Sequence, residues 1–381
     1  MPELLHGTAD ARFDKVRTLM RDNIETGREL GASITVDLHG ETIADLWGGH
    51  GDAQRTIPWS RDTIVNVWSS TKTVTNLAAL MLVDRGMLDV FAPVAKYWPE
   101  FAANGKDAIE VRHIMSHTSG VSGWEPPFAV DDMYDWERST QLLASQAPWW
   151  EPGTASGYHA NSMGHLVGEV VRRVSGKSLK EFVRTEIAEP LRADFQIGAR
   201  ADDDHRIAEI IPPRVRAFDL STLPPNVPMF RTFHGPVSDP TVANTEPWRR
   251  ADLGAGNGHG NARALARILS AVSLGGEVDG VKLLSPTTIE LIFQEQADGV
   301  DLVLGVPLRW GIGYGLPQPA TVPSISDDDR ACFWGGWGGS MIVMHPDRGL
   351  TISYVMNQMA EGVIGSEAAN SYLTAIYEAL A

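Results

Sequence analysis

The chain has 381 residues, 43% hydrophobic and 21% charged, which is ordinary globular usage and excludes long disorder. Its 32 Lys and Arg stand against 48 Asp and Glu, a formal charge of −16 with no basic block, so nucleic acid and anionic membrane surfaces are excluded as partners. Cys332 is the single cysteine and the opening MPELLHGTADARF has neither a basic nor an apolar segment, so the chain reads as cytoplasmic, without internal disulfides or a secretory signal.

In chain order, Phe13, Val16, Met20 and Ile24 recur at three- to four-residue spacing and predict an amphipathic helix. Ile34, Val36 and Leu38 alternate with polar residues, His39-Gly40 interrupts, and a second run extends to Trp47, which predicts a β-hairpin. Trp68-Ser69-Ser70-Thr71-Lys72 then leads into an apolar helix through Val74, Leu77 and Met81. Helical patterns follow over 112–116, 135–147 and 164–174, separated by Gly- and Pro-rich turns. Residues 211–247 are irregular and proline-rich, and predict a long loop over the surface or a cleft rim. A helix resumes over 260–274. Two apolar runs then flank the turn Pro346-Asp347-Arg348-Gly349, and a last helix starts from Ser366 as N-cap. Strands near both ends, each beside a terminal helix, predict one antiparallel sheet flanked by helices. The fold class is α/β (α+β), with residues 1–95 and 262–381 forming a discontinuous domain and 96–261 a mostly helical insert.

Three stretches carry chemistry. Ser69 and Lys72 lie one helical turn apart, close enough for the amine to reach the hydroxyl. Serine is a weak nucleophile until a base takes its proton, and a buried lysine is such a base because desolvation disfavours its ammonium form. Chance alone gives about 0.4 Ser-x-x-Lys motifs for 24 Ser and 7 Lys, so the motif by itself is weak and more often describes a plain helix cap. Tyr158, in Tyr158-His159-Ala160-Asn161, is a packing residue or a proton relay beside a cation. Trp334-Gly335-Gly336-Trp337-Gly338-Gly339 sets four glycines beside a predicted strand, the composition of a bulge or of close backbone approach. The acidic runs at 202–204 and 327–329 lack calcium-loop spacing and read as solvated surface. No Gly-x-Ser-x-Gly elbow occurs, which argues against an α/β-hydrolase.

Together these stretches resemble the serine β-lactamase and penicillin-binding-protein superfamily, in its class C β-lactamase-like branch, and are most similar to the family VIII carboxylesterases. The supporting segments are 111–120, Glu151-Pro152-Gly153 and 258–263, and the likeness runs from about residue 12 to 375. The resemblance implies a β-lactamase/transpeptidase-like fold, with Ser69 as nucleophile and Lys72 and Tyr158 as base and acid. It also implies an oxyanion hole from the backbone N–H groups of Ser69 and Trp337. Substrate contacts fall to Trp334, Gly335, Gly336, Trp124, His159 and Asn161, and no metal or cofactor is implied. Two positions depart from the class C pattern: Asn161 follows Tyr158 by three residues rather than two, and Trp334 replaces a lysine that pairs with substrate carboxylates. The second departure favours a neutral, short-chain or compact ester. The alternatives are a β-lactamase or D-alanyl-D-alanine peptidase, a non-catalytic penicillin-binding scaffold, and an acyltransferase. Homo-oligomerisation is left open.

Overall fold

The computed structural model describes residues 4–214 and 220–381. Its frame is a nine-stranded antiparallel sheet. The first helix (Asp14–Thr26) follows strand β1 (Leu5–Ala9) and precedes the hairpin β2 (Gly31–Leu38) and β3 (Glu41–Gly49). The hairpin turn is His39-Gly40, with φ of 52° and 84°, the left-handed pair that a right-twisted two-residue turn requires. A short strand β4 (Val65–Asn66) pairs with β6 (Gly258–Gly260), which also pairs with β5 (Phe195–Ile197). After the small hairpin β7 (Glu277–Val278) and β8 (Val281–Lys282) come β9 (Ala297–Val300), β10 (Pro307–Trp310), β11 (Gly315–Leu316), β12 (Cys332–Gly335), β13 (Met341–His345) and β14 (Leu350–Met356). The large sheet runs β1-β3-β2-β14-β13-β12-β11-β10-β9, so N- and C-terminal strands meet at its centre.

The expected sheet, hairpin and flanking helices are present, and Ser366 caps the terminal helix (Glu367–Leu380) through a hydrogen bond from Ala369 N–H. Alternation in β2 sets Thr35 and Asp37 on the face opposite Ile34 and Val36, and Thr35 is fully buried there and Asp37 nearly so. The helix Ala262–Ser273 covers that face and supplies polar partners, which burial of such groups demands. Ser270 Oγ donates to Asp37, Ser273 Oγ lies 2.7 Å from Thr351 Oγ1, and Arg263 pairs with Asp45 at 2.8 Å. Strands β1 and β9–β11, which extend the sheet at both edges, were not anticipated: their runs are short or broken by Gly and Pro.

The acidic run 202–204 is not fully solvated either. Asp203 turns inward and pairs with Arg200 and Arg206, which hold its carboxyl down at about 2 against the cost of burial. The irregular 211–247 stretch contains short helices among its described residues, including Pro228–Phe233 and Glu246–Arg250. It lies along the rim of the cleft described next.

Candidate active site

Ser69 reaches its place through β4. Val67 N–H donates to Gly258 O, and Trp68 then adopts φ of 49°, a left-handed conformation costly for a bulky residue. This kink turns the chain into the helix Thr71–Asp84, whose N-cap is Ser70, so Ser69 stands one residue before the cap. The helix is buried from Thr71 through Leu82, and its apolar body packs against the helix Ser162–Ser175. Lys72, in its first turn, is therefore drawn into the interior and is 1% exposed.

Lys72 Nζ lies 3.0 Å from Ser69 Oγ and donates to Ala160 O at 2.7 Å and Ala255 O at 2.8 Å. No carboxylate pairs with it among the described residues. Burial alone pulls its pKa well below the ordinary 10.5. Tyr158 arrives on the loop before helix Ser162–Ser175 and is fully buried on the protein side, with its ring 4.8 Å from Lys72 Nζ. Burial pushes its phenol up. The hydrogen bond shared with Ser69 and the one from Trp334 Nε1, the latter at 3.2 Å, oppose that rise, and the Asp301 charge adds to it. Sequence therefore anticipated three side chains that the fold brings together around one hydroxyl.

The glycine-rich segment closes the other side. A Cβ on Gly336 would lie 2.4 Å from Val67 O and 2.3 Å from Ser340 Oγ, so only glycine lets the end of β12 come this close to the Ser69 segment. Ser340 Oγ ties the two together, donating to Val67 O at 2.9 Å and lying 3.0 Å from Ser70 Oγ. The neighbouring amides are engaged, Ser70 N–H with Val67 O and Gly338 N–H with Gly362 O. The N–H groups of Ser69 and Trp337 make no hydrogen bond among the described residues.

Ser69 and Tyr158 open into a cleft of about 270 Å³, lined also by Trp68, Asn161, Phe233, Val237 and Trp337. Its wall is mostly apolar, and among the described residues no Lys or Arg lines it. The Asn161 amide, at the N-cap of helix Ser162–Ser175, makes no hydrogen bond among the described residues and borders the cleft.

Five expected substrate contacts stand elsewhere, and those expectations are corrected. Trp124 does not line the cleft. It stacks on Phe128 at 4.4 Å and spends its N–H on Ser139 O. His159 is sealed behind the tyrosine loop, its two nitrogens held at 2.6 Å by Ser119 Oγ and Gly157 O. Trp334 lies behind Tyr158, 2% exposed, because its register opposite Ile342 turns the indole inward. Gly335 and Gly336 set the approach of β12 rather than touching the cleft.

Sequence reasoning missed the carbonyls of Ala160 and Ala255, since a backbone acceptor leaves no trace in residue type. The one available signal for the second was Gly254-Ala255-Gly256, a loop pinned to the helix by Thr75 Oγ1 donating to Gly254 O. His117, Trp310 and Asp301 around the tyrosine loop were also missed.

A family model described as Beta-lactamase matches residues 16–374. The chain is 33% identical over 369 residues to the esterase/beta-lactamase LipL of Mycobacterium tuberculosis, a match covering 94% of this chain and 84% of that protein. It is also similar to the solved structure of a family VIII carboxylesterase, at 36% identity and a TM-score of 0.91, over 98% of this chain and 99% of the other. A penicillin-binding protein homologue from Caulobacter crescentus superposes with a TM-score of 0.92 at 34% identity, over 98% and 99% of the two chains. With the sheet, the Ser69–Lys72 helix and the match running nearly end to end, the chain belongs to the beta-lactamase family and has the β-lactamase/transpeptidase fold.

Proposed function

We propose that this serine hydrolase of the beta-lactamase fold is a carboxylesterase that cleaves short-chain or compact, uncharged esters through an acyl-enzyme on Ser69. One observation carries the reading: the Ser69 hydroxyl stands at the mouth of a mostly apolar cleft, 3.0 Å from a buried amine with no carboxylate partner among the described residues. As a neutral amine, Lys72 has two N–H bonds and one lone pair. The carbonyls of Ala160 and Ala255 take both N–H bonds, which leaves the lone pair for the Ser69 proton. Lys72, assisted by Tyr158, accepts that proton as Ser69 Oγ attacks the ester carbonyl. The unspent N–H groups of Ser69 and Trp337 receive the oxyanion. Tyr158, whose burial keeps it protonated, then donates to the leaving alkoxide and afterwards takes a proton from the water that releases the acid.

LipL is named for both an esterase and a beta-lactamase, and the solved neighbour named a family VIII carboxylesterase supports ester cleavage. So does the cleft wall, whose described residues offer no cation to the carboxylate shared by penicillins and peptide C-termini. The small cleft volume favours compact acyl groups. The single, buried thiol of Cys332 fits a cytoplasmic setting. The test is hydrolysis of nitrophenyl esters of increasing chain length beside nitrocefin, with mass spectrometry of the acylated protein. Ester turnover with an adduct on Ser69, and a loss of about 10⁴-fold or more in Ser69→Ala, is expected. Preferential nitrocefin cleavage would turn the reading to a β-lactamase, and no adduct from either reagent to a non-catalytic scaffold.

A further inference from the structure

The loop that carries Tyr158 is held by a residue outside the three motifs. Asp301 sits at the corner between β9 and β10 and is fully buried. Its Oδ1 accepts three backbone N–H groups at 2.9 Å each, from Val303, from Leu304 and, across 143 residues of chain, from Tyr158 itself. A second tie runs the other way, Leu302 N–H donating to Ser156 O at 2.8 Å. The strand leaving this corner places the Trp310 ring nearly parallel to the Tyr158 ring, 12° apart in tilt and 6.4 Å between centroids. Asp301 Oδ2 is buried without a partner among the described residues.

The bonds to Val303 and Leu304 make a turn that an asparagine would close equally well, since its carbonyl oxygen accepts the same N–H groups. A carboxylate adds a buried charge and an unbonded oxygen, both costly. We infer that Asp301 is a positioning residue for the reaction, anchoring Tyr158 through its main chain and setting a carboxylate against the Tyr158 backbone N–H. This rests on the assignment of Tyr158 as proton carrier.

Several groups face the phenol from the elements packed around it. Ser69 and Lys72 face it from the start of the helix Thr71–Asp84, His117 from the turn after the helix Val111–Met115 with its ring 4.9 Å away, and the Trp334 N–H from β12. His159 follows in sequence, its backbone N–H donating to His117 Nδ1 at 3.0 Å. Burial drives both histidines far below their usual range, so they are neutral at working pH. Asp301 is then the anion that opposes phenolate formation, and an oxygen that resists ionisation is the stronger base once ionised.

The experiment compares kcat, KM and the pH dependence of kcat/KM for Asp301→Asn and Asp301→Ala, with thermal melting of each and Ser69 acylation read in parallel. Asp301→Asn keeps the N–H acceptor and removes the charge. It is expected to fold, to lower kcat more than it changes KM, and to move the limb governed by Tyr158 to lower pH. Asp301→Ala also removes the anchor and is expected to lose about 10²-fold in kcat, the cost of misplacing a reacting group by about an ångström. A folded Asp301→Asn with wild-type kcat and a superimposable pH profile overturns the inference. Failure of both variants to fold also overturns it, leaving a structural tie. Absence of a Ser69 adduct in the unmodified chain is a separate result, which sinks the esterase reading and not the anchoring of the loop.

Discussion

Two of the clusters that set buried ionisable groups beside tyrosines invite comparison, one facing a cleft and one sealed. At the first, Lys72 and Tyr158 flank Ser69 and open onto the apolar wall of the cleft. At the second, Glu29 is sealed between the first helix, β14 and the terminal helix, its two oxygens taken by the hydroxyls of Tyr354 and Tyr372. Asn23 completes that cage, donating to Tyr372 OH at 2.7 Å and accepting from Arg28. Burial is the largest cause of the shift at Lys72 and at Glu29 alike, lowering one and raising the other. A perturbed pKa therefore marks burial, and access to a substrate-sized space separates chemistry from scaffolding. The clusters differ in saturation as well: each Glu29 oxygen has a partner, whereas the first cluster keeps free N–H groups at Ser69 and Trp337.

That contrast can be broken by mutation. The largest effect after loss of Ser69 is expected from Lys72→Ala and Tyr158→Phe, each costing about 10²–10⁴-fold in kcat/KM for a nitrophenyl ester, read by steady-state kinetics. In the unmodified enzyme the rate falls on the acid side as Lys72 protonates, at a pH well below the ordinary lysine value of 10.5. A variant at either position with unchanged kinetics would remove the chemical half of the comparison. Next comes Gly336→Ala. The new methyl meets Val67 O and Ser340 Oγ inside contact distance, so β12 moves away from Ser69 and the N–H of Trp337 leaves its place. The expected loss is about 10²–10³-fold in kcat, that of one oxyanion donor, with KM less affected.

The smallest catalytic effect is expected at the sealed cluster. Glu29→Gln should leave ester turnover unchanged while altering the pH dependence of melting. The folded-state pKa of Glu29 is raised above its unfolded value, so its contribution to stability is complete below the unfolded pKa and is lost as pH rises through the folded one. Glutamine does not ionise, so the difference in Tm, native minus variant, should fall as pH rises across that window. A parallel pair of Tm curves would show that Glu29 titrates alike in both states.

Some of this architecture was legible in residue order. The helix face of Phe13, Val16, Met20 and Ile24, the His39-Gly40 turn and the Ser366 cap each follow from local periodicity or turn chemistry, and all three stand in the structure. The spacing of Ser69 and Lys72 is local as well, one helical turn apart. The misreadings share a different cause. Trp334 and Trp124 are expected at the substrate from the family resemblance, but strand register and ring stacking turn both indoles into the interior. Alternation along β2 says nothing of the distant helix that brings its own serines and arginine to cover Thr35 and Asp37.

Residue order alone determined that this chain carries a hydroxyl and an amine one turn apart on an apolar helix, an acidic balance and a single thiol. Tertiary structure decided how that pair is tuned. The carbonyls of Ala160 and Ala255 that orient the amine, the N–H groups of Ser69 and Trp337 left unspent among the described residues, and the carboxylate of Asp301 that holds the Tyr158 N–H come from segments far apart in the chain. Local spacing sets which side chains share a helix face. Desolvation and the direction of a backbone dipole depend on what the rest of the fold packs against that face.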